Sequence, residues 1–367
     1  MKKCQNHGTP IFVIGSYRSG TSVLTWCLGQ HPKILALEET NWIAYLSVYL
    51  DNLFLLGTVN ADYSNISSIG VTEGELYQHF GRTVGNFIAE NNDKYIEAAK
   101  QRARRAPHLV SELYSLTRNM SHRKERWIDG TPENSHFVYG LNRLYPDAKF
   151  IHILRNPRDV AKSLQNFSKA GGRDYGEEES YLTWMRLVRA SVEAETAFGS
   201  DKVTRILYSD LVDRPKEVLT HCLEFIDEPF DESCLLPLNK KINTSGFNKT
   251  TSTEEDVQGR PYIMKASQFY QDLLQSQPQK SGTKEGYLIL QQKFKKFAKQ
   301  FRLEEINKLS QWGQHLDVEI EKRDKRIIDL QNEVEELGNW GKSLDAAVAE
   351  RDLEILKLRD KLKVNNE

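Results

Sequence analysis

Short apolar runs alternate with longer segments of mixed polarity over the first 240 residues of the chain. Runs this short, bounded by turn residues, are typical of buried strands, and the longer segments between them are typical of helices. Such regular alternation predicts an α/β fold, with a parallel sheet that carries helices on both faces. The predicted strands are Ile11–Ile14, Ile34–Leu37, Arg126–Ile128, Phe150–Leu154 and Val203–Tyr208.

The pattern changes after residue 240. Residues 241–300 begin with a polar stretch rich in Lys, Thr, Ser, Gln and Asn, which predicts a lid or linker that leads into a connecting helix. From residue 301 to 367, apolar residues recur at steps of three, four and seven, and charged residues fill most positions between them. We therefore divide the chain into an α/β domain (1–240), a polar segment (241–300) and a coiled-coil extension (301–367).

The apolar seam of the extension predicts a helix that pairs with another helix, because so polar a helix is hard to stabilise alone. Arg323, Gly341 and Arg351 interrupt the seam, which leaves the oligomeric state open. The extension can form a homo-oligomer, bind a partner helix, or fold back as a hairpin near Gly338–Gly341. The seam consists of Leu316, Ile320, Ile327, Leu330, Val334, Leu337, Leu344, Val348, Ile355, Leu358 and Leu362.

One turn near the N-terminus has the residues expected of an anion-binding site. The segment Pro10–Leu28 predicts a strand, a glycine-bounded turn at Gly15–Gly20, and a helix that opens with Thr21 and Ser22. The first N–H groups of a helix have no partner within it, and the helix dipole adds partial positive charge there, so this position suits a phosphate. The glycine spacing is that of a P-loop, which predicts a P-loop-NTPase-like sheet.

The turn departs from the P-loop motif at one position. Thr21 stands where the motif has a lysine, which reaches the terminal phosphates of a nucleoside triphosphate. The absence of that lysine argues against magnesium-dependent ATP or GTP chemistry. Arg18 keeps a cation in the turn, and Thr21 and Ser22 add hydroxyl groups, so the turn suits a different anion. The alternative interpretation is a tight strand–helix turn without a ligand.

A second group of anion-binding candidates follows the strand Phe150–Leu154. Arg155 comes directly after that strand, Pro157 suits the first position of the next helix, and Ser163 lies about two turns further on. Because ligands collect at the carboxyl ends of parallel strands, we expect Arg155 and Ser163 to converge with the turn at Gly15–Gly20. The alternative interpretation is an exposed cluster of charges.

With both segments, the chain resembles the sulfotransferases that use 3′-phosphoadenosine 5′-phosphosulfate (PAPS). RSGTS at Arg18–Ser22 resembles their 5′-phosphosulfate loop, and RNPRDVAKS at Arg155–Ser163 resembles their 3′-phosphate motif. The two motifs occur in the family's order and in its strand–loop–helix context, and the resemblance covers about residues 8–240. The sequence is most similar to the branch with protein-tyrosine sulfotransferases and bacterial carbohydrate or small-molecule enzymes.

The resemblance implies how the donor is bound. It implies that a loop with Lys249 and Arg260 closes over the adenine and the 3′-phosphate, although this polar segment equally fits a flexible linker. No metal is expected to be required, because a sulfuryl group carries less negative charge than a terminal phosphoryl group. The residues implied for the 5′-phosphosulfate are Arg18, Ser19, Gly20, Thr21 and Ser22, and those for the 3′-phosphate are Arg155 and Ser163.

The resemblance also implies a general base. Glu38 and Glu39 follow the strand Ile34–Leu37, and in the tyrosine-sulfotransferase branch the second glutamate of a matching Glu-Glu-Thr looks like the base. This position is Glu39, with Glu38 as the second choice, and Arg18 is expected to take part in catalysis. Without the resemblance, the two glutamates are better explained as acidic residues that complement a helix N-terminus.

One position departs from the family pattern. Many of these relatives carry a lysine that helps to neutralise the leaving phosphate, and Gly130 stands in its place, within the turn Asp129–Asn134. Either another cation replaces the lysine, with Arg18, Lys162 and basic residues later in the chain as candidates, or the activity is reduced or lost.

Composition and charge favour an intracellular enzyme. The 50 Lys and Arg residues nearly balance the 51 Asp and Glu residues, which gives no field that attracts nucleic acid or an anionic membrane. The four cysteines show neither metal-ligand spacing nor a disulfide framework. The most apolar stretch, Trp42–Leu56, is interrupted by Asp51 and Asn52, so we expect no membrane span. The first ten residues do not fit a signal peptide, which predicts a cytoplasmic protein.

The sequence therefore favours a PAPS-dependent sulfotransferase. We expect its acceptor to be a hydroxyl or an amine, carried by a carbohydrate, a small molecule or a peptide. Two other functions stay open, namely a P-loop kinase or NTPase, and an inactive sulfotransferase fold that acts as a scaffold through its coiled coil. Gly130 is the main argument for the scaffold.

Overall fold

Five parallel strands form a single sheet in the computed structural model, which describes residues 9–37, 39–105, 124–170, 173–239 and 260–364. All five predicted strands are confirmed, each with one end shifted by a single residue. The strands are β1 (Ile11–Gly15), β2 (Ile34–Ala36), β3 (Arg126–Asp129), β4 (Lys149–Leu154) and β5 (Val203–Leu207). Their order in the sheet is β2-β3-β1-β4-β5.

Helices cover the sheet and connect its strands. Three short 3₁₀ segments add to them, at Ala61–Tyr63, Phe167–Ala170 and Glu232–Asn239. The helices are α1 (Thr21–Gly29), α2 (Trp42–Thr58), α3 (Asn65–Ser68), α4 (Glu73–Glu90), α5 (Asn92–Arg105), α6 (Asn134–Leu144), α7 (Pro157–Gln165), α8 (Glu177–Phe198), α9 (Tyr208–Asp213), α10 (Pro215–Phe225), α11 (Pro261–Gln275) and α12 (Lys284–Val364).

Strand β1 lies at the centre of the sheet and is buried along its whole length. Ile11 and Val13 belong to one apolar cluster, together with side chains of α1 and α10. Phe12 points to the opposite face, since successive side chains of a strand alternate. There its ring lies 5.5 Å from that of Trp127 and 5.4 Å from that of Phe150. Both faces of the sheet are therefore covered, as the sequence predicts.

Because the strands are parallel, their carboxyl ends meet at one edge of the sheet. The turn after β1 lies beside the end of β4, since these two strands are paired from Ile11↔Lys149 to Gly15↔Ile153. Strand β3 pairs with β1 on its other side, and β5 pairs with β4. The residues that follow β1, β3, β4 and β5 are thus brought together, and this edge is the expected place for a ligand.

The chain divides into two compact units, residues 1–299 and residues 300–367. The first unit extends beyond the α/β core because later segments pack on it. Ile263 and Ala266 of α11 are buried in a cluster with Trp184 of α8. At the start of α12, the ring of Phe294 lies 5.3 Å from that of Tyr139.

The second unit consists of the remainder of α12. The helix continues through Gly338 and Gly341, so the hairpin alternative for this region is wrong. Its apolar seam residues are exposed, for example Val334 at 68% and Leu337 at 65%. The helix that the spacing predicts is present, whereas its pairing with a second helix stays a prediction.

No helix in the described parts of the chain combines the length and the apolar character needed to cross a bilayer. The cytoplasmic location of the protein stays a prediction.

Candidate functional site

A cavity of about 360 Å³ lies at the carboxyl edge of the sheet, and the turn between β1 and α1 forms one of its walls. Gly20 closes this turn with a φ of +100°, in the left-handed region that suits glycine. A side chain there would collide with Tyr208, because a Cβ atom would lie 2.5 Å from the ring. Position 20, directly before α1, therefore requires a glycine. The first residue of α1, Thr21, borders the cavity.

Arg18 holds an unusual conformation within the turn. Its φ is +61°, which is unfavourable for a residue with a long side chain and persists only where other contacts impose it. Three contacts do so: Arg155 Nη1 donates to the Arg18 carbonyl at 2.9 Å, Arg18 Nε donates to Ser163 Oγ at 2.9 Å, and the Arg18 guanidinium lies 5.3 Å from the centre of the Phe167 ring. The side chain is thus fixed at the cavity wall.

Arg155 lines the same cavity and is held by its own contacts. Its guanidinium lies 4.3 Å from the centre of the Tyr208 ring, and its carbonyl accepts a hydrogen bond of 3.0 Å from Trp184 Nε1. Its Nε atom is buried and has no hydrogen-bond partner among the described residues. Burial and the nearby charge of Arg155 lower the pKa of Arg18 from its ordinary value, so the two cations repel each other across the turn.

These groups fit an anion with more than one phosphate-like end. Arg18 and Arg155 line one cavity together with Thr21 and Ser22, the first residues of α1, which carry hydroxyl groups. The free Nε donor of Arg155 is a buried polar atom of the kind that a ligand satisfies. Arginine forks and helix N-termini both bind phosphate oxygens.

Glu39 faces these cations within the same cavity. The neighbouring Thr40 fixes its segment, because the Thr40 N–H donates to Thr131 Oγ1 at 2.9 Å and the Thr40 hydroxyl donates to Asp129 Oδ2 at 2.5 Å. Asp129 is fully buried and also accepts from the N–H and the hydroxyl of Thr131. Residues at the end of β3 therefore fix the position of Glu39, which follows β2.

The environment of Glu39 raises the pKa of its carboxyl group into the range that suits a general base. Although the Glu39 side chain as a whole is exposed, the surrounding protein partly desolvates its carboxyl group, and the charges of Glu133 and Asp129 add to this effect. Together they raise the pKa of Glu39 to about 6, against the opposing effect of Arg18. A carboxylate with such a pKa can take up a proton near neutral pH and is still ionised there.

A second carboxylate, Glu133, lines the cavity at the start of α6. Its Oε1 accepts a hydrogen bond from the Tyr17 hydroxyl, while its Oε2 is buried and has no partner among the described residues. Burial and the contact with Glu133 raise the pKa of Tyr17, so the phenol keeps its proton. The free oxygen of Glu133 is therefore an acceptor for a donor group on a ligand.

Gly130 leaves no room for the lysine that many relatives of the suggested family carry. A Cβ atom at this position would lie 2.1 Å from Thr25 Oγ1 and 3.3 Å from the Thr21 carbonyl. Strand β3 and helix α1 thus approach each other more closely than a side chain permits. The cations among the described lining residues are Arg18 and Arg155, while Lys162 lies on α7 outside this lining.

We expect Gly130→Ala to destabilise the protein by about 1–3 kcal/mol, the usual cost of overpacking a close contact. The free energy of unfolding, measured in urea, checks this. In a Thr25→Ala background the obstructing hydroxyl is absent, so the same change should cost clearly less. Equal losses in both backgrounds would show that the contact with Thr25 is not the cause.

The structure brings together most of the residues that the sequence singles out. Ser19 is buried within the turn and does not line the cavity. Arg260 lies at the start of α11 and forms an ion pair of 3.0 Å with Glu177, also away from the cavity lining. Glu38 and Lys249 lie outside the described residues. The predicted residues that line the cavity are Arg18, Gly20, Thr21, Ser22, Glu39, Arg155 and Ser163.

Sequence reasoning missed several residues of the cavity. Tyr208 and Glu133 both follow closely on the carboxyl ends of strands, so the rule that ligands collect at these ends would have identified them. Tyr17 lies inside the glycine-bounded turn and carried a similar signal. Phe167 and Tyr175 follow α7 in segments without a recognisable motif, and nothing in the sequence singles them out.

A larger cavity, of about 820 Å³, lies at the opposite edge of the sheet. Its lining includes Pro10, before β1, and Lys124, before β3, together with Gly81 and Gly85 of α4. These positions precede the strands, whereas ligands of parallel sheets bind beyond the carboxyl ends. The candidate site is therefore the smaller cavity.

Comparison with known proteins adds an independent finding. A sequence profile described as the Sulfotransferase family matches residues 10–232. Protein-tyrosine sulfotransferase A of Caenorhabditis elegans is 23% identical over 227 residues, which cover 61% of this chain and 51% of that protein. This chain thus spans about half the length of the nematode protein.

Two further proteins are similar to the chain. Omega-hydroxy-beta-dihydromenaquinone-9 sulfotransferase Stf3 of Mycobacterium tuberculosis is 22% identical over 288 residues, 69% of this chain and 72% of that protein. Among solved structures, the sulfotransferase domain of the Synechococcus PCC 7002 olefin synthase aligns with a TM-score of 0.38 and 17% identity, over 82% of this chain and 98% of that chain.

Proposed function

The chain belongs to the sulfotransferase family, and from this premise we propose that it transfers a sulfuryl group from PAPS to a hydroxyl or amine acceptor, with Glu39 as the general base. One observation carries the proposal. A single cavity contains two fixed guanidinium groups, the start of a helix and, facing them, a carboxyl group whose pKa is raised to about 6. Anion binding and proton abstraction are thus combined in one place.

The cations of the cavity account for donor binding. In the proposal, the start of α1 and the Arg18 guanidinium bind the 5′-phosphosulfate, with the hydroxyl groups of Thr21 and Ser22 as further donors. Arg155 and Ser163 bind the 3′-phosphate, and the Nε of Arg155 is a free donor for it. The roles of Ser19, Lys249 and Arg260 in donor binding stay predictions from the sequence.

The reaction we propose is a direct in-line displacement at sulfur. The donor supplies an activated sulfuryl group on a phosphate leaving group. The acceptor oxygen or nitrogen forms a bond to sulfur while the bridging S–O bond breaks and its electron pair stays on the phosphate oxygen. Glu39 accepts the proton that the acceptor loses, which keeps the charges balanced. Arg18 and the N–H groups of α1 stabilise the negative charge that develops on the phosphate.

Arg18 also replaces the lysine that is missing at residue 130. Its guanidinium is fixed at the cavity wall by Ser163 and Phe167, so no reorganisation is needed when charge develops. With Arg18 in this role, the proposed activity does not require a side chain at Gly130.

The acceptor we propose carries a hydroxyl group. The nematode relative is named for tyrosine and the mycobacterial relative for an omega-hydroxyl, and both names describe hydroxyl acceptors. The buried Oε2 of Glu133 offers such an acceptor a hydrogen-bond partner beside Glu39.

Transfer of labelled sulfate tests the proposal directly. The full chain is incubated with PAPS labelled at sulfur and with mixtures of phenols, sugars and alcohols, and labelled products are separated by mass. We expect a product that carries the label, and calorimetry should show that adenosine 3′,5′-bisphosphate binds without magnesium. Binding without any transfer would favour the inactive scaffold, and binding only of ATP with magnesium would favour a P-loop NTPase.

The pH dependence of turnover follows from the environment of Glu39. A raised pKa keeps the carboxyl group protonated, and therefore inactive as a base, up to about pH 6. We expect kcat/KM to rise about tenfold per pH unit below this value and to level off above it. The profile is measured between pH 4.5 and about 8 with one identified acceptor. A profile that stays flat down to pH 4.5 would contradict the assignment.

A further inference from the structure

The second unit contains an internal repeat with a period of 28 residues. Residues 311–330 and 339–358 align without gaps and are identical at eight of 20 positions. The identical pairs include Trp312 with Trp340 and Arg323 with Arg351. A period of 28 residues equals four heptads, so corresponding residues occupy the same heptad position and the same face of the helix.

The heptad register follows from the steps between apolar residues. With Ile306 at position a, the a positions that are apolar carry mostly Ile and Val, and the d positions carry mostly Leu. Among parallel coiled coils, β-branched residues at a with Leu at d favour two strands over three or four. The a positions are Ile306, Gly313, Ile320, Ile327, Val334, Gly341, Val348, Ile355 and Leu362, and the d positions are Leu309, Leu316, Arg323, Leu330, Leu337, Leu344, Arg351 and Leu358.

Each interruption of this seam is accompanied by a residue that compensates for it. Gly313 and Gly341, at a, each follow a tryptophan at g, namely Trp312 and Trp340. These two indoles are 62% and 65% exposed on the helix. In a parallel pair in register, a g side chain lies beside the a residue of the partner helix. Each tryptophan of one helix would thus fill the space that the glycine of the other leaves.

The two arginines that interrupt the seam are each accompanied by a residue of opposite charge. Arg323 and Arg351, at d, each precede an aspartate at e, namely Asp324 and Asp352. In a parallel pair in register, an e side chain lies beside the d residue of the partner helix. Each arginine would then meet an opposite charge within an otherwise apolar seam, on both sides of the pair.

We propose that residues 306–362 pair with the same residues of a second copy of this chain, as a parallel, in-register, two-stranded coiled coil. The pairing covers a seam that extends for ~75 Å between Leu309 and Leu358. In an antiparallel pair, e positions lie beside e positions and g positions beside g positions. The aspartates would then not lie beside the arginines of the other helix, and the tryptophans would not lie beside its glycines. The proposal stands independently of the sulfotransferase activity.

The mass of the full chain in solution is the first test. Sedimentation equilibrium or light scattering should give twice the mass of the chain at micromolar concentration. A monomer or a trimer at this concentration would overturn the proposal.

The register is tested by cross-linking. Leu330→Cys, at a d position, should form a disulfide between two copies under mild oxidation, mapped by mass spectrometry to residue 330 in both. Asn332→Cys, at the outward f position nearby, is the matched control and should not. A shift by one repeat would place residue 330 of one copy beside residue 302 or 358 of the other, so the disulfide at residue 330 would not form, and its absence would rule out the proposed register.

Charge reversal tests the pairing of Arg323 with Asp324 of the other copy. Arg323→Glu should weaken dimerisation on the order of 10- to 100-fold, since it places like charges in the seam. The double change Arg323→Glu with Asp324→Arg should restore it to within about threefold. Lys325→Glu, an identical charge change at an outward f position, is the control and should leave dimerisation unchanged. If the Arg323→Glu variant dimerises normally, or if the double variant does not recover, the proposed pairing is wrong.

Discussion

Replacing Glu39 by glutamine is expected to lower kcat by about 10²- to 10⁴-fold, the usual contribution of a positioned general base. Glutamine keeps the size of the side chain and its place beside Thr40, but it cannot take a proton from the acceptor. Since Glu39 faces the cations across the cavity and is not one of them, the affinity for adenosine 3′,5′-bisphosphate should change little. Single-turnover transfer and calorimetry measure the two quantities separately.

The pH profile supplies the control for this substitution. The rise of kcat/KM through about pH 6 should disappear in the Glu39→Gln variant, because the group that titrates there is gone. Glu133→Gln serves as the matched variant, since it removes the second carboxylate of the cavity and should leave the rise in place at a lower pH. Turnover of Glu39→Gln at the rate of the unaltered protein would require another base.

Replacing Arg155 by alanine is expected to weaken the binding of adenosine 3′,5′-bisphosphate by about 10²-fold or more. The substitution removes a buried charged donor for the 3′-phosphate, and charge-assisted hydrogen bonds of this kind contribute roughly 1.5–3 kcal/mol each. It also removes the hydrogen bond of 2.9 Å that fixes the Arg18 carbonyl, so the turn itself is loosened. Isothermal titration calorimetry gives the loss directly.

Two variants separate these effects. Arg155→Lys keeps the charge but loses the fork, and we expect an intermediate affinity. Arg158→Ala removes an arginine in the first turn of α7, outside the cavity lining, and should bind as the unaltered protein does. If Arg155→Ala folds normally by circular dichroism and retains full affinity, the proposed donor site is wrong.

The sheet was predictable because its strands are buried on both faces. Such strands appear in the sequence as apolar runs, continuous in β1 and β2 and interrupted by Arg126, His152 and Arg205 in β3, β4 and β5. The convergence of Arg18 and Arg155 was predictable for a topological reason, since parallel strands bring their carboxyl ends to one edge. Both inferences need only local sequence and the rule for parallel sheets.

The chemical properties of the site were not predictable in the same way. The raised pKa of Glu39 depends first on desolvation by the surrounding protein and then on the charges of Glu133 and Asp129. These two residues lie about 90 residues further along the chain and approach Glu39 only through the pairing of β2 with β3. The conformation of Arg18 depends on Ser163, Phe167 and Arg155 together. Likewise, α1 leaves no room for a side chain at Gly130, and no feature of the turn Asp129–Asn134 indicates this close contact.

The proximity of Arg18 and Arg155 also has a consequence for the resting protein. The repulsion between these two like charges destabilises the folded protein, and a bound multivalent anion would offset that repulsion. The site thus lowers thermal stability and in return binds an anion more readily, a trade-off that is common at functional sites. Simple oxyanions such as sulfate should consequently act as folding stabilisers for this protein, through occupancy of one small region rather than through general exclusion from the surface.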